Sequence, residues 1–480
     1  MASGKQRQAP LYAALRRHVQ RRCAHLHVPA HRQGEALPSS LKGEDFFQLD
    51  LTELPGLDDL HSPGGPIARA QELAAKLYGA RATFFLVNGT TAGVTALFLA
   101  ACRPGQKVVV TRDAHRSVLA GLVLSGADPV FVAPRLLPPF GIPAAVRPED
   151  LSGALRAHPE ARGVFVVYPN YYGVAADLPA LAGVARRHGK PFFVDEAHGA
   201  HFPFHPDLPP EALACGADAA VMSVHKTGGS LTQSSFLHLG GEGLLQARVA
   251  AALSLLQTSS PSYLLLASLD LARRQLAVKG FELLARALAL ARRTRAALSA
   301  IPGLAVFGEE EVPAGERLDP LRITIGVREL GLSGYRAAAL LAQKYRVHCE
   351  LADNRNIVAA VGIGTREEDC SRLVSALTEI SRTRRRRRSL PEIPRPPAPP
   401  PKRMTPREAW FAPARTVSLE AARRLVSSEW VAVSPPGVPV IYPGEEITPE
   451  VSEYLQFLRA NGISVTGPAD RSLATIRVVC

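Results

Sequence analysis

The sequence predicts an α/β fold: a mainly parallel seven-stranded sheet with helices outside it, a smaller α+β domain, and a C-terminal α+β domain. Three observations carry this. Short Val, Phe and Ile runs alternate with amphipathic helical stretches between residues 82 and 239, the pattern of strands buried on both faces. A strand–helix–strand–strand–helix pattern follows over 321–380. A segment rich in arginine and proline then interrupts the chain over 381–407.

The elements follow in order. Residues 1–60 form an N-terminal segment whose start, MASGKQRQAPLYAALRRH, has charges but no apolar core, so no secretory signal is expected. Strands are expected over 82–87, 107–111, 129–133, 163–168, 191–195, 219–223 and 234–239. Helices are expected at Ile67–Tyr78, Thr91–Ala101, Arg116–Ser125, Pro148–Ala157 and Asp177–His188. Together they make a large domain over 61–260. A long helical stretch from Tyr263 to Leu298 opens the small domain, 261–380, with strands near 321–327, 347–353 and 356–363. Five consecutive arginines, Arg384–Arg388, repel one another, and the prolines after them hold an extended path, so 381–407 reads as a solvated linker. Residues 408–480 are the C-terminal domain, expected to pack back on the body.

Composition narrows the function classes. With 480 residues, 46% hydrophobic and 21% charged, the chain has material for several packed units and is not a disordered protein. No stretch approaches the apolar length of a membrane span. Six scattered cysteines without a CxxC pair argue against a zinc cluster or a disulfide framework and fit a reducing cytoplasm. The net charge of +13 is concentrated in 381–407, where ten basic residues face one acid. That run offers salt-dependent phosphate contacts, the basis for an alternative reading as a nucleic-acid or acidic-partner binder. Its proline-rich setting and the near-balanced remainder favour the linker instead.

Four motifs sit at strand ends, where open α/β sheets bind ligands. Asn88-Gly89-Thr90-Thr91 joins a strand to a helix and combines free N–H groups, hydroxyls and the helix dipole into an anion site. It lacks GKS/T and GxGxxG, so it is neither a P-loop nor a dinucleotide fingerprint. His115, in Arg112-Asp113-Ala114-His115-Arg116-Ser117, is placed to stack on a flat ring. Asp195 ends an apolar run, where a carboxylate is costly without a cationic partner. A helix cap and, with His198, metal ligation are its competing roles. Lys226, in Ser223-Val224-His225-Lys226-Thr227-Gly228-Gly229, is an amine nucleophile candidate, with Ser223 and His225 beside it for an anion. His198, His201 and His205 lack further ligands for a metal centre, and none is expected. The set in this order suits a phosphorylated pyridine aldehyde: a phosphate cup, a ring platform, an acid for the ring nitrogen and a lysine for the aldehyde.

The chain resembles the short-form Orn/Lys/Arg decarboxylases, which use pyridoxal 5'-phosphate and have the fold type I, aspartate-aminotransferase-like architecture. The resemblance rests on residues 50–80, FFLVNGTTAG (84–93), RDAHRSV (112–118), YPNYYGVAADL (168–178), VDEAHGAHFPFH (194–205), SVHKTGGSLTQSSFLH (223–238), LQTSSPSYLLLASLDLAR (256–273) and PPGVPVIYPGEEIT (435–448). Departures are Pro29-Ala30-His31-Arg32 for the family's PGHK, Arg112 to Ser117 for RNxHKS, and Thr-Gly-Gly-Ser after Lys226 for Thr-Leu-Pro-Ala. The resemblance implies that Lys226 joins the cofactor aldehyde, Asp195 holds the ring nitrogen protonated, and His115 stacks on the ring with Ala197 on the other face. It implies that Gly89, Thr90, Thr91, Ser223 and His225 surround the phosphate and that His198 lies near the phenolic oxygen. The implied substrate is a basic L-amino acid: arginine first, giving agmatine, then lysine and ornithine, giving cadaverine and putrescine. Glu53, Asp58, Asp59, Glu445 and Glu446 are the candidate acids for its distal cation. A homodimer or larger assembly is implied too. Another PLP reaction, such as transamination, stays open.

Overall fold

The computed structural model describes residues 4–21, 26–41, 45–241, 246–384, 394–433 and 438–480. Arg385–Arg388 and Pro435-Pro436-Gly437 therefore lie outside the described residues. Along the chain run helices α1 (Pro10–Gln20) and α2 (Pro66–Leu77), strand β1 (Ala82–Leu86), α3 (Gly89–Ala101), β2 (Lys107–Thr111), α4 (Arg116–Ser125), β3 (Asp128–Val132), α5 (Pro148–Ala157), β4 (Val164–Val167), α6 (Leu178–Arg187), β5 (Phe192–Asp195), β6 (Ala219–Met222), β7 (Ser235–Leu239), α7 (Gln246–Leu256) and α8 (Tyr263–Ser299).

The seven strands form one sheet in the order β1-β7-β6-β5-β4-β2-β3. The pairs β2/β3, β2/β4 and β5/β6 are parallel, as the buried apolar runs predict. Strand β7 runs antiparallel to both β1 and β6. The reason is local: the 223–234 link holds only a single helical turn, Val224–Thr227, too little to carry the chain back for a parallel crossover. Every residue of β5, β6 and β7 is buried.

Two compact units divide the chain, Met1–Ala100 with Pro191–Leu284, and Ala101–Lys190 with Ala285–Cys480. In the first, the N-terminal segment is tied to α8. The Asp270 carboxylate accepts from the Leu11 N–H at 3.0 Å and caps the start of α1, while fully buried Arg273 donates to the Gln6 carbonyl at 2.9 Å. Helix α2 starts on Asp58, whose carboxylate accepts from the N–H groups of Gly65 at 2.7 Å and Ile67 at 3.0 Å. Burial works against that charge, but these backbone donors hold the Asp58 carboxyl below its ordinary range.

In the second unit, β8 (Ala305–Val306), β9 (Arg322–Gly326), α9 (Gly334–Tyr345), β10 (Leu351–Ala352), β11 (Asn356–Ala360) and α10 (Glu367–Arg384) build an antiparallel sheet in the order β8-β9-β11-β10. Beyond it come α11 (Pro406–Phe411), β12 (Ala414–Ser418), β13 (Val431–Val433), β14 (Val438–Ile441), α12 (Pro449–Ala460), β15 (Val465–Thr466) and β16 (Thr475–Val479). Their core joins Val431, Ile441, Ile447, Val451, Leu455 and Val478. The end of the stretch read as a solvated linker is held within this unit: Arg407 donates to the carbonyls of Val123 and Leu124 at 3.0 Å, and Lys402 pairs with Asp128, the first residue of β3.

Candidate active site

In the first unit the ends of β1, β5 and β6 carry Gly89, Thr90, Thr91, Asp195, Ala197, His198, Ser223, His225 and Lys226. Helix α3 starts at Gly89, whose φ of +75° is left-handed and suits glycine. Thr90, in the first turn of α3, shares hydrogen bonds with Ser223 Oγ at 2.5 Å and Ser235 Oγ at 2.9 Å. All three hydroxyls are buried. The helix reaches the sheet only because position 93 is glycine. A Cβ there would stand 2.6 Å from Val221 Cγ1 and 2.7 Å from Leu86 Cδ1. Thr91 is exposed on the same turn. Gln257 braces the end of β1, accepting from the Val87 N–H at 2.8 Å.

Asp195 is the last residue of β5 and is buried. Its Oδ1 accepts from the Ala197 N–H at 3.1 Å. Burial raises the Asp195 carboxyl above its ordinary range, partly offset by the Lys226 charge and that N–H. The helix-cap role is not seen, since a turn and not a helix follows the strand. Lys226 Nζ donates to His198 Nε2 across 3.0 Å. His225 Nδ1 donates to the Ser234 carbonyl at 2.9 Å, which fixes its tautomer, and burial pushes its pKa down. A buried carboxylate, a neighbouring lysine and a hydroxyl-lined helix start can together hold a cationic heterocycle, an aldehyde and a phosphate. The donor set thus fits the expected cofactor.

In the second unit His115 caps α4. The Ser117 N–H donates to His115 Nδ1 at 3.2 Å, and Ser117 Oγ lies 2.9 Å from the same atom. That N–H can only donate, so Nδ1 is the acceptor and the neutral ring carries its proton on Nε2. Three residues earlier, Arg112 is buried against Glu445 in a two-pronged pair of 2.6 and 2.8 Å.

The candidate substrate acids separate. Asp58 is spent on the α2 cap, Glu445 on Arg112, and Glu446 on Arg403 at 2.6 Å. Their carboxylates have cationic or N–H partners within the chain. Glu53 and Asp59 also have partners, Glu53 accepting from the Thr52 hydroxyl and Asp59 from the His61 N–H at 2.8 Å, so hydrogen bonding within the chain singles out none of the five. Sequence reasoning missed Ser235, Gly93 and Arg112. Ser235 had a readable signal, a hydroxyl at the start of an apolar strand. Gly93 and Arg112 owe their roles to residues far away in sequence.

Comparison with known proteins gives a consistent set of relatives. The family model described as the major domain of Orn/Lys/Arg decarboxylases matches residues 9–369, and that of their C-terminal domain matches 396–467. The chain is 40% identical to an arginine decarboxylase of Bacillus subtilis over 99% of its own length and 98% of that protein. It is 39% identical to an arginine decarboxylase of Halalkalibacterium halodurans, with the same coverage of both. Among solved structures, the Francisella novicida lysine decarboxylase LdcF has the same fold, with a TM-score of 0.83 at 18% identity over 98% of this chain and 81% of that one.

Proposed function

The chain belongs to the Orn/Lys/Arg decarboxylase family, and from that premise we propose that it is a pyridoxal 5'-phosphate enzyme that decarboxylates arginine to agmatine. Lysine and ornithine are the alternative substrates. The observation that carries the reading is the grouping of Lys226, His198 and Asp195 with the Thr90, Ser223 and Ser235 hydroxyls in one unit. The order of substrates follows from the full-length relatives named arginine decarboxylase.

Lys226 holds the cofactor's aldehyde carbon, Asp195 its ring nitrogen, and Gly89, Thr90, Thr91, Ser223 and His225 its phosphate. Ala197 would pack against the ring. Bound there, the cofactor supplies an electron sink for the pair left behind as carbon dioxide departs. Asp195 would keep that sink strong by holding a proton on the ring nitrogen, and its burial makes the pairing favourable, since Lys226 and the Ala197 N–H offset the cost of burying its charge only in part. Lys226 and His198 share a proton across their hydrogen bond and return one to the substrate Cα. A homodimer or larger assembly completes the reading.

The test is direct. The purified protein with pyridoxal 5'-phosphate is incubated separately with arginine, lysine and ornithine, and carbon dioxide and amines are identified. Agmatine from arginine is expected, at a higher rate than the other two amines. A keto acid without carbon dioxide would replace the reading with transamination.

A further inference from the structure

Glu196 is fully buried next to the acid of the site, and none of the steps above uses it. It follows β5 directly. Its N–H donates to the Val221 carbonyl of β6 at 2.9 Å, and its carbonyl accepts from the Gly199 N–H at 2.9 Å. Residues 196–199 therefore close a four-residue turn with His198 as its third member. That placement brings His198 Nε2 to 3.0 Å from Lys226 Nζ. One backbone hydrogen bond is a modest hold on a turn that must keep such a distance.

The Glu196 side chain adds to that hold. Both of its carboxyl oxygens accept from the Ala212 N–H, at 3.2 and 3.3 Å. Ala212 opens a second turn, capped by Glu211, whose carboxyl oxygens accept from the Leu213 N–H at 2.9 Å and the Ala214 N–H at 2.8 Å. The Glu196 carboxyl is thus a peg between the His198 turn and a neighbouring piece of backbone. Gly199 leaves room for it: a Cβ there would stand 2.6 Å from Glu196 Cγ. Beyond Gly199 the buried Tyr78 hydroxyl donates to the Ala200 carbonyl at 2.8 Å, so the chain is held on both sides of His198. Burial first, and the Glu211 charge second, push the Glu196 carboxyl well above its ordinary range. A neutral acid accepts the Ala212 N–H without leaving a buried charge uncompensated.

We infer that Glu196 is a positioning residue of the decarboxylase: anchored to the Ala212 N–H, it holds the 196–199 turn so that His198 meets Lys226. This rests on the proton role given to His198 and Lys226 in the proposed function. Every group involved belongs to the first unit. No atom of Glu196 has to touch the reacting groups.

The experiment compares Glu196→Leu, Glu196→Gln, His198→Asn and the double variant Glu196→Leu with His198→Asn. All are assayed as holoenzymes, with the amino acid that the unchanged protein decarboxylates fastest, well below their melting temperatures. The readouts are kcat, KM and the dissociation constant of pyridoxal 5'-phosphate. Leucine fills similar space but accepts no N–H. It should lower kcat about 10- to 100-fold, the scale of a misplaced catalytic group, and change the other two constants less than about threefold. Glutamine keeps a neutral acceptor for Ala212 and should hold kcat within about threefold of the unchanged protein. In the His198→Asn background Glu196→Leu should add less than about twofold. Ala212→Pro removes the N–H that Glu196 accepts, at the first position of its turn, where proline is tolerated. It should repeat the fall in kcat if Glu196→Leu does not fold. Multiplying losses in the double variant, equal losses in Glu196→Gln and Glu196→Leu, or a normal kcat in folded Glu196→Leu or Ala212→Pro would overturn the inference. Normal turnover of His198→Asn alone would instead overturn the proton role of His198, and that single variant tells the two failures apart.

Discussion

The Lys226 ammonium donates to His198 Nε2 across 3.0 Å, and His198 sits on the turn that starts from Asp195 at the end of β5. One hydrogen bond therefore links the one-turn helix after β6 to the strand end that carries the acid. Replacing Lys226 with alanine should abolish the visible absorption band of added pyridoxal 5'-phosphate and with it amine production. Retention of the band would mean that a different lysine carries the cofactor. His198→Asn keeps a polar group but loses the shared proton. It should lower kcat by roughly 10²-fold, the lower range for a general acid or base, while the band persists. Unchanged turnover would remove His198 from the proton path.

Asp195 carries a signed pH dependence. Its folded carboxyl is raised above the unfolded value, mainly by burial. Between those two values the folded protein holds a proton that the unfolded chain has released, so stability falls as pH rises through that window. The cofactor-free protein should therefore lose stability from the ordinary carboxylate range upward, and Asp195→Asn should remove that part of the slope. Thermal melts of both proteins across pH 4–8 measure the difference; parallel curves would mean that the carboxylate is compensated without the cofactor. The same variant, loaded with cofactor, should be slower by orders of magnitude because the ring nitrogen loses its acid.

Position 93 tests the phosphate site through packing alone. An alanine there drives its Cβ against Val221 and Leu86 and must lift α3 off β6. The Thr90 hydroxyl then draws away from Ser223 and Ser235. Gly93→Ala should cost about 1–3 kcal/mol of stability, as overpacking does. It should also raise the dissociation constant for pyridoxal 5'-phosphate more than that for pyridoxal, which lacks the phosphate. An equal loss for both ligands would leave α3 with no special part in holding the anion.

The sequence made some of this legible and hid the rest for physical reasons. Helices α4 and α5 fall on their expected bounds, because Arg116–Ser125 ends at a left-handed Gly126 and Pro148 can only start a helix. Strand β2 was equally plain as a run of valines. The direction of β7 was not legible, since periodicity reports burial and not polarity. Nor was the fate of Glu445: the residues near it give no sign of a partner over three hundred positions away. The motif residues Lys226, Asp195 and Thr90 stood out by their place at strand ends, but Gly93 needed the packed sheet before its role appeared.

His238 gives a prediction independent of any ligand. It is fully buried in β7, with Nδ1 2.7 Å from Thr83 Oγ1 and its ring stacked on Tyr78 at 4.6 Å between centroids. Burial pushes its pKa down to about 3. The unfolded chain takes up a proton near pH 6.5 that the folded ring refuses. The neutral ring thus contributes stability in full above about pH 6.5, and this is lost progressively as pH falls toward about 3. His238→Asn keeps a polar atom for Thr83 but does not titrate. The variant should be less stable at pH 7, where it lacks the stacked ring, yet its stability should fall less steeply on acidification, by up to about 1.4 kcal/mol per pH unit. Denaturant unfolding of both proteins at several pH values between 4 and 7 reads the difference in slope. Equal slopes would show that the ring accepts a proton inside the fold, and that Tyr78 and Thr83 shield it from water less than their packing implies.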